Sequence, residues 1–341
     1  MTQRLSHRRH FRRVNILPSL LTLGNFSCGF LSIVLCLNAL FFSTRARIME
    51  EKPAASVMQM PDSVNIDYDQ SKAGRNAMAL HSVKGGLARA GFLFHWACVI
   101  IFFGMLFDVL DGNVARRIGA SSDFGRELDS LADVTTFGIA PAIIVNTIFL
   151  AVMPATYAWW NQVIIFGVIF AVCAVLRLAR YNIESGTSDR NIFSGLPSPA
   201  AAGCVVSAVL FTEGDFAWVD AFCSWLAGFA WFGADIVQVK ARLLSIFLLL
   251  PGLLMVTTIP FVHVANRYLT GKKSFTLLVL AVLVLALVWQ EPRLMLFLLF
   301  NGYMAWGLVA AAWNRWGKGG GKGGRTAPLP VEHKLNDSDI H

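Results

Sequence analysis

The sequence predicts an all-α, polytopic membrane protein, and three observations carry that prediction. Hydrophobic residues make up 55% of the 341 and charged ones only 15%, which with a mean hydropathy of +0.57 lies outside the range of soluble globular domains. The apolar residues gather in runs long enough to cross a bilayer as helices, each needing about 20 residues. Basic residues flank those runs instead of forming one stripe, so the net charge of +8 suits anionic lipid headgroups and argues against nucleic acid as a partner. The six cysteines show no Cys-x-x-Cys or Cys/His pairing, and their apolar surroundings mark them as buried free thiols.

Taken in order, residues 1–16 form a basic arm with Arg4, Arg8, Arg9, Arg12 and Arg13, suited to a cytoplasmic membrane surface. The apolar stretch 17–42 exceeds the about 7–15 residues of a signal-peptide core, so it reads as a retained first transmembrane helix. Thr22, Asn25 and Ser27 interrupt it near the inner end, where they either face a ligand or bond a neighbouring helix. Residues 43–90 read as a polar outer loop; Asp62, Asp67 and Asp69 within it lack the spacing of a calcium-binding loop. Seven basic residues in this segment run against a simple positive-inside assignment, although long loops obey that rule weakly.

Spans are expected at 91–110 and 124–151, joined by a segment whose Arg116, Arg117 and Arg126 place it inside. Pro141 should loosen the second of these just beyond its acids. A fourth span at 157–180 ends in RLARYN and returns Arg177 and Arg180 to the inner face, as positive-inside anchors or as contacts for a phosphate or carboxylate. The next begins with Ala200, Ala201, Ala202 and Gly203, small enough for close helix approach. Trp218, Trp225 and Trp231 mark 213–240 as an interfacial segment on the outer side. Further spans at 242–262, 274–290 and 293–312 bring the expectation to eight crossings with both termini inside. The division that results is an arm at 1–16, a catalytic core at 17–262, additional transmembrane helices at 263–312, and a flexible cationic tail at 313–341.

The chemistry concentrates between Asp108 and Asp133, in DVLDGNVARRIGASSDFGRELDSLAD. Asp108 and Asp111 are spaced to share one helix face, and Gly125, Asp129 and Asp133 to share another. Each carboxylate at a membrane helix centre costs roughly 2.5–3.5 kcal/mol, and several together repel, so a cation is expected among them. An all-oxygen donor set without His or Cys favours a hard ion, Mg²⁺ or Mn²⁺, and several acids suffice for two ions. Paired hard metals suit a diphosphate substrate. Gly112 and Gly125 leave the backbone open to a bulky ligand, and Arg116 offers a forked phosphate donor. An ion-coupled transporter is the rival reading of intramembrane acids, but it does not account for the glycines or Arg116.

This spacing resembles the signature of the CDP-alcohol phosphatidyltransferases, with Asp108, Asp111, Gly112, Ala115, Arg116, Gly125, Asp129 and Asp133 in its eight places. The blocks LPSLLTLGNFSCGFLSI, SLADVTTFGIAPA, RLARYN, FSGLPSPAAAG and LLMVTTIPF resemble the phosphatidylserine synthase branch over most of residues 16–261. The resemblance implies a six-helix membrane core, here with about two extra C-terminal helices, forming a homodimer in the cell membrane with its site open to the cytoplasm. It implies CDP-diacylglycerol as donor and L-serine as acceptor, with a transferase for another alcohol as the alternative. Metal would sit on Asp108, Asp111 and Asp129, with Asp133 as a further ligand and as general base. Gly112, Ala115, Arg116, Gly125 and Thr22 would meet CDP-diacylglycerol, and Arg177, Arg180 and Asn25 the serine or a phosphate.

Overall fold

A computed structural model describes residues 16–57, 67–118, 123–153, 160–184, 195–214, 216–228, 235–259, 286 and 289–317. Among them the regular structure is entirely helical: α1 (Ile16–Val57), α2 (Asp67–Ile118), α3 (Asp123–Asp133), a π-helical turn (Val134–Ile139), α4 (Ala140–Val152), α5 (Trp160–Glu184), α6 (Ser198–Thr212), α7 (Ala217–Ala227), α8 (Ile236–Phe247), α9 (Leu249–Val256) and α10 (Pro292–Gly317). Among the described residues six segments are long and apolar enough to cross a membrane: Pro18–Met49, His81–Val114, Phe124–Val152, Val163–Ile183, Ile236–Val256 and Pro292–Trp313. α6 and α7, which meet at 91°, pass the same test only when the bent pair is taken together, as a broken span or a re-entrant turn. The span expected at 274–290 falls almost wholly outside the described residues, as do most of the basic arm and the tail.

The polar outer loop expected at 43–90 is corrected. Residues 43–57 continue α1 and residues 67–90 open α2, so the two form one long antiparallel hairpin. Polarity suggested a loop, but the segment is built of good helix formers such as Ala, Arg, Met and Glu. Two of its hydroxyls are satisfied inside the helix, Ser43 donating to the Ala39 carbonyl at 3.0 Å and Thr44 to Leu40 at 2.9 Å. Ala46, Val83 and Ala90 are buried along the seam.

Pro141 acts as expected. Lacking an N–H, it cannot continue the hydrogen-bond ladder, and the helix just before it widens to the π turn, where the Ala140 amide reaches the Thr135 carbonyl. The small residues opening α6 also act as expected: α6 is buried along nearly its whole length, and a side chain at Gly203 would overlap the ring of Phe300 on α10. Asn301 on α10 donates to Ser207 at 3.2 Å, tying the last helix to α6. At the other end of α6, the segment at 213–240 contributes α7, whose Trp218, Phe222 and Trp225 are exposed, as an interfacial helix requires.

Candidate active site

Four helices meet around the acids. Near the end of its span α2 presents Asp108 and Asp111, and α3 presents Asp129 and Asp133 near the start of the next. The acids therefore stand on the terminal thirds of their two spans. Asp108, Asp111 and Asp129 each place an oxygen within 4.8 Å of the others. Asp133 lies one turn beyond Asp129 and outside that trio, accepting a hydrogen bond from Asn25 Nδ2 at 3.2 Å.

Asn25 is fully buried, and it is held by a close approach of three elements. Thr136, in the π turn, donates to the Asn25 carbonyl at 2.9 Å. Two glycines make this possible: a Cβ at Gly29 would lie 2.7 Å from Thr136 Cα, and one at Gly104 would lie 2.7 Å from Thr136 Cγ2. Thr22, one turn before Asn25, is also buried. Its single hydroxyl proton has two acceptors in reach, the Pro18 carbonyl at 3.0 Å and the Asp111 carboxylate.

Arg177 on α5 faces Asp133 and Asp108 electrostatically and donates to the hydroxyl of Ser198 at the start of α6. Arg180 is half-buried on α5 three residues beyond it. Gly112 has nothing within 4 Å of where a Cβ would stand, so the helix surface between the acid pairs is open. Gly125 is half-buried near the start of α3. Ala115 and Arg116 lie on α2, and their side chains fall outside the described set.

Two residues at this site carried no role in the sequence reading. Ser198 stands between Pro197 and Pro199, a flank that fixes a helix start and could have pointed to it. For Thr136 no sequence signal existed, since its partner lies 111 residues away.

The donor set fits a divalent metal. One buried oxygen each of Asp111 and Asp129 accepts no hydrogen bond from the protein, an arrangement costly for a carboxylate unless a cation completes it. Only oxygen is offered, as a hard ion requires.

A family model for CDP-alcohol phosphatidyltransferases matches residues 87–313. The chain belongs to the CDP-alcohol phosphatidyltransferase family. Relatives of this phosphatidyltransferase include the CDP-diacylglycerol–serine O-phosphatidyltransferase of Helicobacter pylori, 32% identical over 229 residues that span 64% of this chain and 81% of that protein. The Bacillus subtilis protein of the same name is 29% identical over 193 residues, 57% of this chain and 75% of its own. The archaetidylserine synthase of Methanothermobacter thermautotrophicus is 34% identical over 165 residues, 48% of this chain and 63% of that one. The protein is thus an integral membrane transferase of a family that generally depends on divalent metal.

Proposed function

We propose that the protein transfers the phosphatidyl group of CDP-diacylglycerol to the hydroxyl of L-serine, giving phosphatidylserine and CMP. The observation that carries this is the gathering of Asp108, Asp111 and Asp129 within 4.8 Å on the family's own motif. The relatives support serine as the acceptor, since it stands in their names.

Asp108, Asp111 and Asp129, with Asp133 beside them, would hold one or two Mg²⁺ or Mn²⁺ ions. Such ions neutralise a diphosphate and polarise its phosphoryl oxygens. Gly112 admits the diphosphate to the α2 backbone, and Thr22, Ala115, Arg116 and Gly125 complete the donor site. Arg177, held by Ser198, receives the serine carboxylate or a phosphate oxygen, with Arg180 behind it. Asn25 fixes one oxygen of Asp133, which leaves the other to take the hydroxyl proton. The serine oxygen then forms its bond to the lipid-linked phosphorus, the bond to CMP breaks, and CMP departs with the electron pair. A positioned base of this kind contributes about 10²–10⁴ in rate. Asp133 standing outside the trio supports giving it that role.

The site would face the cytoplasm from the cell membrane, in a homodimer whose chain divides into basic arm, core at 17–262, additional helices at 263–312 and tail. Purified protein is incubated in detergent with CDP-diacylglycerol and labelled serine, glycerol 3-phosphate, inositol phosphate or choline. Label should enter lipid from serine alone, be lost in excess EDTA, and return with Mg²⁺ or Mn²⁺. Transfer to a different alcohol would replace the acceptor, and undiminished transfer in EDTA would remove the metal.

A further inference from the structure

The basic residues at the far end of the α1–α2 hairpin take no part in the chemistry above. Residues 43–90 hold seven of them, an excess that positive-inside topology leaves without a cause. From Arg89 to Asp108 α2 rises about 28 Å, close to the roughly 30 Å thickness of a hydrocarbon layer. Arg47 marks the same far end, its guanidinium donating at 2.9 Å to the carbonyl of Met153, which closes α4. The opposite end of α4 leads from the π turn and Asp133.

At this end the hairpin holds a cleft of about 210 Å³ lined by Phe42, Arg45, Ser82, Gly85, Gly86 and Arg89, space for several waters at about 30 Å³ each. Arg89 lies over the Phe42 ring at 4.6 Å, which holds its guanidinium in place. Among the described residues neither Arg45 nor Arg89 has a carboxylate partner. The Ser82 hydroxyl donates to the Met49 sulfur at 3.6 Å, a weak acceptor from which its proton is readily redirected. Around the cleft Phe41, Ile48, Leu87 and Phe92 are all exposed, and both spans end here. Two guanidiniums, a hydroxyl and side-chain-free helix surface at the depth of the headgroups form a phosphate receptor with apolar flanks for acyl chains.

We infer that this cleft binds a phosphate group, carried by a phospholipid headgroup or free in solution. Full-length protein in neutral detergent is titrated with dioleoylphosphatidylglycerol, with diolein, which has the same chains and no phosphate, and with inorganic phosphate, while Tm is followed. The phospholipid should raise Tm saturably and diolein should not. The midpoint should move at least tenfold in Arg45→Gln/Arg89→Gln. It should move likewise in Gly85→Leu, which keeps both charges and fills the cleft from a position with nothing within 4 Å of its Cβ. The second variant decides should the first fail to fold. A saturable rise with inorganic phosphate, lost in the same variants, names the free anion as the source. An equal rise with diolein, or an unchanged midpoint in Gly85→Leu, overturns the inference and leaves the arginines as anchors that reach the headgroup layer from the helix ends.

Discussion

Asn25 and Asp133 are 108 residues apart, yet their contact sets Asp133 apart from the three acids that cluster. Asp133→Asn tests the division of labour. Turnover should fall by about 10²–10⁴, while equilibrium binding of labelled CDP-diacylglycerol stays within a few-fold of wild type, because Asp108, Asp111 and Asp129 remain together. Loss of binding together with turnover would assign Asp133 to the metal site instead. Asn25→Ala removes a hydrogen bond to a charged group, worth about 1.5–3 kcal/mol. Single-turnover phosphatidylserine formation should drop roughly ten- to a hundredfold by the usual conversion of about 1.4 kcal/mol per decade, with the metal titration curve unmoved. A shift in metal requirement would show that Asn25 acts through the trio.

At the scale of elements, the helices meet where side chains are missing, and two glycines of α2 illustrate opposite uses of that. Gly104 packs against Thr136 and Asn25, with no room for a methyl group; Gly112 faces open space. Gly104→Ala should lower stability despite alanine's better helix propensity, since overpacking costs about 1–3 kcal/mol against a gain of about 1 kcal/mol. Gly112→Ala should hold or raise Tm and instead raise the KM for CDP-diacylglycerol. Thermal melts alongside kinetics separate the two, and a Gly112→Ala enzyme with unchanged KM would take that glycine out of the donor site. The π turn belongs to this scale as well. Wide turns of this kind recur at functional sites, and this one aims Thr136 at the Asn25 carbonyl.

For the whole molecule, orientation is the open quantity that an experiment reads directly. With native cysteines replaced, Asp67→Cys should label from outside intact cells with an impermeant thiol reagent, and Ala120→Cys should not. The reverse pattern would turn the aspartates away from cytoplasmic serine. The sequence alone determined the class, the acids and the family, because apolar run length and residue spacing are local properties that need no partner. It also located the loosened helix at Pro141 and the close-packed start of α6, since a missing N–H and missing side chains act wherever the chain places them. Only the tertiary structure decided that 43–57 and 67–90 are helical arms of one hairpin, because their stability comes from a seam such as Ala46, Val83 and Ala90 between two helices. Likewise it alone paired Asn25 with Asp133, Thr136 with Asn25 and Arg177 with Ser198. Those bonds join residues brought together by packing, and the spacing of residues along a single helix carries no record of them.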